Sequence, residues 1–448
     1  MELIPRGIEA ELRDILSASR AAAIIGPRQA GKSTLAKQLQ AAGVVPNYYT
    51  LDDRGLRAAA RADPDGFALS LTRPAVIDEI QRAPELMLAI KQILDRDQTP
   101  GQFLLTGSAD LLTAGVIADA LPGRVEYVNL WPLSAAEIAG RGTYVIDALL
   151  DGAPPRISGA PKGRTASAEL VLAGGFPEAR ARAPHQRARY FRSYVQTVLG
   201  RDLPEIGEVR VDSSKLEQLL RLLAARTSAM VNYAALGRQL ELDDKTVKAH
   251  VELLRQLFLV DRLRPFSTNL GARQVKTPKL LLTDTGMAAA LLGVDASRYC
   301  APDQGPVAGM LFETFVVMEL VKQATWSRTP VELFFYRDTD KREVDLVIES
   351  PSGEVVGIEA KSAATASASD ARGLHLLRDK LGPRFKTGIV IYSGEHTLPL
   401  GDRTWAMPIS GLWAGTTASG RPRRRPAVEP RLRARPPCCT AMPYTDVR

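Results

Sequence analysis

Gly26-Pro-Arg-Gln-Ala-Gly-Lys-Ser33 is the stretch on which the reading of this 448-residue chain turns. It fits the pattern G-x-x-x-x-G-K-[ST], and its surroundings fit too. The apolar run Ala21-Ala-Ala-Ile-Ile25 precedes it, and the helix-like segment Thr34-Leu-Ala-Lys-Gln-Leu39 follows. A strand, a glycine-rich loop and a helix in that order make an anion site, because the loop amides and the helix N-terminus all present N–H groups. The loop therefore predicts a triphosphate ligand, ATP, gripped by Gly26, Pro27, Arg28, Gln29, Ala30, Gly31, Lys32, Ser33 and Thr34. Lys32 is expected to reach the β and γ phosphates, and Ser33 to ligate Mg²⁺.

Outward from the loop, Pro74-Ala-Val-Ile-Asp-Glu79 is an apolar strand ending in two carboxylates. Asp78 is expected to hold the magnesium ion through its waters, and Glu79 to orient and polarise the attacking water. The competing reading is that both acids merely start a solvated helix, Ile80–Leu94. A further apparent strand, Tyr48–Asp52, falls between the two motifs, and Gln102-Phe-Leu-Leu-Thr-Gly-Ser108 ends in hydroxyls. Together these features point to the additional-strand class of P-loop ATPases, with Thr106 or Ser108 sensing the γ-phosphate unless the threonine is only a cap. Arg124, just ahead of a fifth strand at Val125–Leu130, is either a surface arginine or one that stabilises charge at a neighbouring subunit's nucleotide. The second alternative implies a homo-oligomer.

Bulk composition narrows the class. At this length one hydrophobic core is not enough, and two to four domains are expected. Three cysteines and four scattered histidines make neither a disulfide framework nor a zinc site, which suits a reduced cytoplasm. We find no run of about 18 apolar residues and no secretory signal, so no membrane span is expected. From Ala414 onward there are eight Arg, one Glu and one Asp, so this tail carries +6 of the net charge of +8. The tail, 414–448, reads as disordered, either a phosphate-binding extension or a passive one.

Five strands with intervening helices over 1–140 predict a covered, mostly parallel sheet, that is, an α/β domain. Here a resemblance enters. Gly26–Thr34, Val76-Ile-Asp-Glu-Ile-Gln81, Leu105-Thr-Gly-Ser108, Leu121-Pro-Gly-Arg124, Leu130-Trp-Pro-Leu133, Gly174-Gly-Phe-Pro-Glu178, Arg201-Asp202 and Asp284-Thr-Gly286 resemble motifs of a prokaryotic family of AAA-type ATP-binding proteins. Members carry a C-terminal domain of unknown function. The likeness covers about residues 1–413 and implies an AAA-type P-loop domain that binds and hydrolyses ATP.

Residues 168–295 read as helical, ending in a helix, tight turn and helix over Ala234–Val260. Val247, Val251, Leu254 and Phe258 line one face of the second helix, and Asp243 or Asp244 is placed to cap it. Lys245, Lys248 and His250 project elsewhere, and Asn269, Arg273 and Lys276 fall in a possible wing. This is winged-helix patterning, suited to DNA phosphates or to protein docking, with Glu241, Asp243, Asp244 and Glu252 diluting the field.

Residues 305–413 read as helix, three strands, helix, strand. That αβββαβ order resembles the restriction-endonuclease-like core. Asp345 and Glu359-Ala-Lys361 then occupy its chemical positions, with Asp345, Glu359 and Glu313 as candidate Mg²⁺ ligands and Lys361 positioning water. The departure is Glu343-Val-Asp345 where that superfamily has Pro-Asp. A metal-dependent nuclease, an inactive binding fold and the wet face of a sheet all remain open. At the level of the whole chain, an ATP-driven enzyme acting on DNA stands against a non-cleaving ATP-dependent switch that binds protein or nucleic acid.

Overall fold

The computed structural model describes residues 3–108, 123–142, 144–202, 212–268 and 277–414, with the side chains of Arg201 and Asp202 left out. Leu121, Pro122, Asn269, Arg273, Lys276 and the 414–448 tail beyond its first residue lie outside the described residues.

Five strands form the first sheet: β1 (Ala21–Ile25), β2 (Asn47–Thr50), β3 (Ala75–Asp78), β4 (Phe103–Gly107) and β5 (Val125–Asn129). All pairings are parallel and the order is β2-β3-β4-β1-β5. Both faces are covered. Along β1, Ala21 and Ala23 pack in one core while Ala22 and Ile24 pack in another. That is the two-sided burial a parallel sheet needs. The order sets β4, with Thr106, between the strand that feeds Gly26 and the strand that ends at Asp78.

The helix Ile80–Leu94 of the competing reading does not form as one element. A 3₁₀ turn spans Ile80–Arg82, and the α-helix starts only at Leu86 and runs to Arg96. Pro84 is the reason, since a residue before proline avoids helical backbone; Ala83 sits at φ −143°, ψ 73°.

In the middle region, helices Tyr233–Leu240 and Asp244–Gln256 meet at a tight turn. Gly237 permits it, because a Cβ there would lie 2.6 Å from the Leu242 carbonyl. Asp243 caps the second helix, accepting from the Lys245 and Thr246 amides at 2.9 Å each. Val247, Val251, Leu254 and Phe258 are buried. His250 is buried beside them, which corrects its expected place among the outward basic groups; burial also lowers its pKa, favouring the neutral ring. Lys245 and Lys248 are exposed.

Three further strands flank this pair: β6 (Ala229–Met230), β7 (Val260–Pro265) and β8 (Lys279–Leu282), with β8 antiparallel to both others. They are not a free-standing hairpin. β7 also pairs in parallel with β9 (Glu332–Arg337), the first strand of the C-terminal region. From there β10 (Glu343–Glu349), β11 (Val355–Lys361), β12 (Phe385–Tyr392), β13 (Leu398–Gly401) and β14 (Thr404–Pro408) complete one nine-stranded sheet, ordered β13-β14-β12-β11-β10-β9-β7-β8-β6.

The helix Gly305–Ala324 packs against this sheet. By length and composition it alone among the described residues is apolar enough to cross a membrane. It lies instead in the protein core, with Phe312, Val316 and Leu320 fully buried.

Three motifs of the family resemblance meet at this helix. The Ala135 amide donates to Glu319 at 2.7 Å, and Lys322 donates to the Leu133 carbonyl at 3.1 Å. The Leu133 amide donates to the Gly175 carbonyl at 2.9 Å, and the Gly175 amide to Asp284 at 2.6 Å. Burial pushes the Asp284 and Glu319 carboxyls up, with Lys322 opposing in both cases. The Trp-Pro-Leu, Gly-Gly-Phe-Pro and Asp-Thr-Gly segments are thus a shared joint.

Candidate nucleotide site

The loop after β1 turns at two glycines. A Cβ on Gly26 would lie 2.3 Å from the Leu130 carbonyl, and Gly26 has φ +151°. Gly31 has φ +103° and immediately precedes the helix Lys32–Ala41. Neither position accepts a side chain without strain. Gln29 also adopts a left-handed backbone, φ 59°. The buried Lys32 ammonium donates to the Gly26 and Pro27 carbonyls at 2.8 Å each, which folds its side chain back over the loop.

The acidic strand end lies against this loop. Ser33 Oγ donates to Asp78 Oδ1 at 2.9 Å. Thr106 Oγ1 donates to the same oxygen at 2.5 Å and accepts from the Glu79 amide at 3.1 Å. Tyr48 donates to Asp78 Oδ2 at 2.8 Å. Burial first, then the Asp78 hydrogen bond, raise the Tyr48 pKa, so the phenol stays a donor. Glu79 follows at φ 60°, ψ 48°, a left-handed conformation that is uncommon outside glycine and that breaks the chain away from β3. Gln81 links Glu79 to Ser108, whose hydroxyl is 2.8 Å away.

Of the residues expected from the sequence, Lys32, Ser33, Asp78, Glu79, Thr106 and Ser108 converge here. Arg124 does not. It sits at the start of β5, where its carbonyl accepts from the Ala21 amide, at the end of the sheet opposite the loop. Its guanidinium is paired with Asp95.

Four contributors had no sequence signal. Tyr48 had only its place in an apparent strand. Arg6, nearly buried, donates to the Ala30 carbonyl at 2.8 Å, the Trp131 carbonyl at 2.6 Å and Glu137 at 2.9 Å, bracing the loop from the N-terminus. Tyr190 and Tyr194, on the helix Pro184–Thr197, donate to the Gln29 side chain at 2.6 Å and the Arg28 carbonyl at 3.3 Å. The loop is therefore in contact with the helical region as well as its own sheet.

The residues fit ATP and magnesium: a loop too tight for side chains, a lysine at its centre, and a hydroxyl already bonded to a carboxylate. Lys32 and the loop amides would hold the phosphates, and Ser33 with Asp78 the ion.

The C-terminal residues assemble differently from expectation. Glu313, Asp345 and Glu359 do come together, but around a lysine that sequence reading passed over. Lys279, at the start of β8 and buried, places Nζ 2.8 Å from Glu313, 2.5 Å from Glu343 and 3.5 Å from Asp345. The expected Mg²⁺ ligand set of Asp345, Glu359 and Glu313 therefore has a lysine ammonium among its carboxylates. Among the described residues no group of three or more acids, histidines or cysteines is arranged to hold a metal. Lys361 is also taken up, ion-paired with Asp370. Burial alone would lower the Lys279 pKa, but Asp345, Glu313 and Glu343 outweigh it and raise it. Burial, then Asp345, push Glu313 up to about 8. Glu359 rises for the same two reasons.

Comparison with known proteins places these regions. A family described as "AAA domain" matches residues 18–139, one described as "Domain of unknown function (DUF8612)" matches 164–298, and "Domain of unknown function (DUF4143)" matches 308–412. Uncharacterized protein Rv2008c of Mycobacterium tuberculosis is 30% identical over 405 residues, covering 90% of this chain and 83% of its own length. Uncharacterized protein Mb2031c of Mycobacterium bovis gives the same figures, 30% over 405 residues. Among solved structures, the Walker-type ATPase PABY2304 of Pyrococcus abyssi is 16% identical with a TM-score of 0.38, covering 65% of this chain and 96% of its own. A point variant of RuvB from Thermotoga maritima is 20% identical with a TM-score of 0.28, covering 57% and 88%. On the extent of the mycobacterial match, this chain belongs to the same family as Rv2008c and Mb2031c.

Proposed function

We propose that the chain is a Mg²⁺-dependent ATPase of the cytoplasm whose nucleotide state switches a nucleic-acid-binding region. The observation that carries the ATPase part is the 2.9 Å bond between Ser33 and Asp78, which joins the phosphate loop to the acidic strand end. Bound magnesium supplies charge neutralisation for the phosphates. Asp78 is held by four hydroxyls, those of Ser33, Tyr48, Thr106 and, at 3.5 Å, Thr50, so its carboxylate is fixed in place before any ligand arrives. Glu79 is turned out of the strand by its left-handed backbone and oriented by Gln81, the arrangement of a residue that polarises water.

The partner assignment rests on the exposed Lys245 and Lys248 of the helix Asp244–Gln256, the second helix of a winged-helix-like unit. DNA is the partner that suits them. In this reading the nuclease-like region binds without cutting, because Lys361 is engaged by Asp370. Arg124 acts on a neighbouring subunit of a homo-oligomer.

The test is a pair of variants. Lys32→Ala is expected to weaken ATP and ADP binding at least tenfold, whereas Glu79→Gln keeps binding and stops turnover. Equal turnover in wild type and both variants ends the ATPase assignment. For the partner, Lys245→Glu with Lys248→Glu is expected to weaken retention of duplex DNA in a gel shift; unchanged retention removes DNA from that helix. Mg²⁺-dependent cutting that Lys361→Ala abolishes restores the nuclease reading.

A further inference from the structure

The carboxylates of the C-terminal region do not fit a divalent ion, and the reason is a cation the chain brings itself. Lys279 belongs to β8, within the middle region that matches its own family, while Glu313, Glu343 and Asp345 all belong to the C-terminal region. Its ammonium has three N–H donors, and three carboxylate oxygens from three different residues stand within ion-pair distance of it. Its side chain is 3% exposed, and Nζ also lies 5.6 Å from the centre of the Phe335 ring, which closes off one side. Asp345 is doubly engaged, because its other oxygen accepts the Ala360 amide at 2.9 Å.

A divalent ion in this pocket would need the same oxygens at shorter range and would stand against a positive charge already there. We propose that Lys279 is the resident cation of this pocket, excluding Mg²⁺ or Mn²⁺ from Asp345 and neighbouring acids, and that the pocket takes a divalent ion only when Lys279 is withdrawn. The nuclease-like region is then closed by a residue of the region beside it. The inference stands apart from ATP turnover, which uses other residues, and it deepens the non-cleaving reading by naming what holds the site shut.

Mn²⁺ binding to nucleotide-free protein, followed by the paramagnetic resonance of the free ion, tests it without any activity assay. Wild type and Asp345→Asn are expected to bind Mn²⁺ alike. Lys279→Met is expected to gain a site at least tenfold tighter than anything wild type shows there, and Lys279→Met with Asp345→Asn to lose it. Lys279→Met with Glu343→Gln, which removes a negative charge along with the cation, serves as a second variant should the first not fold. Two results overturn the proposal: an Asp345-dependent Mn²⁺ site in wild type, or a folded Lys279 variant that gains none. Should neither Lys279 variant fold, the comparison of wild type with Asp345→Asn decides. An ATPase-dead but Lys279-gated protein, or the reverse, shows which of the two assignments has failed.

Discussion

Thr106 donates its hydroxyl hydrogen to Asp78 at 2.5 Å while its oxygen receives the Glu79 amide at 3.1 Å. One fully buried side chain thus fixes the acid proposed to hold the metal and the backbone of the acid proposed to activate water. Thr106→Val keeps the shape and removes both bonds. The Glu79 amide loses its acceptor, at about 1–3 kcal/mol for an unpaired buried donor, and Asp78 Oδ1 keeps Ser33 as its donor. ATP turnover should fall at least tenfold while ATP affinity changes little, and Thr106→Ser should recover most of the turnover. Steady-state hydrolysis beside nucleotide titration checks it; a Val variant with wild-type turnover would show that Asp78 needs no such support.

The joint between regions makes a sharper demand on backbone. Gly174 has φ +64°, and a Cβ there would lie 2.1 Å from the Asp284 carboxylate, which also holds the Gly175 amide. Gly174→Ala should therefore destabilise by roughly 2–4 kcal/mol, from left-handed strain and a displaced buried acid together. Gly142→Ala is the control, since its added methyl meets nothing within 4 Å. Chemical denaturation of both proteins decides: similar midpoints would remove the joint from the stability argument.

The phosphate loop and the carboxylate pair were legible in sequence because backbone geometry dictates them locally. A strand, two glycines at positive φ, a lysine and a hydroxyl sit in one window, and the pattern is readable there without the Leu130 carbonyl that also crowds Gly26. The support around Asp78 was not legible. Tyr48 reaches it only because β2 lies beside β3 in register, Thr50 opposite Asp78, and a tyrosine in a strand carries no mark of that. The same limit explains Lys279 and His250. Helical periodicity separated Val247, Val251 and Leu254 from the wet face, but a histidine one position from that stripe reads as polar until packing is seen. Lys279 was invisible because its partners lie 34 to 66 residues away. The acids that sequence reading grouped are the acidic half of an ionic set whose cation comes from β8.

That set has a pH signature. Glu313 is pushed up to about 8, first by burial and then by Asp345, against the pull of Lys279. Glu359 is raised in the same direction, and Lys279, Glu343 and Asp345 face the same pocket. A carboxyl with a raised folded-state pKa favours folding below its unfolded value, and that contribution is lost as pH climbs through the folded value. Stability should therefore fall between about pH 4.5 and pH 8 by up to a few kcal/mol, from the one group. In Glu313→Gln, which cannot ionise, the fall should be shallower. Urea midpoints of the two proteins at about pH 5.5 and about pH 8 measure the difference, and parallel slopes would contradict the assignment.

Arg124 offers the last prediction, and magnitudes decide it. Its guanidinium, paired with Asp95, is far from its own phosphate loop, so any effect on hydrolysis must act on another chain. The pair is partly exposed, and such a pair contributes about 0–1 kcal/mol, which a developing phosphate charge readily outcompetes. Breaking it is therefore no obstacle to a role in trans. Turnover per chain should rise with protein concentration in wild type as subunits associate. Arg124→Ala should be stable to within about 1 kcal/mol of wild type and show low, concentration-independent turnover. Mixing Arg124→Ala with Lys32→Ala should restore part of the activity, because each chain then supplies what the other lacks. Flat specific activity in wild type across the range over which sedimentation shows association would leave Arg124 as a partner of Asp95 and nothing more.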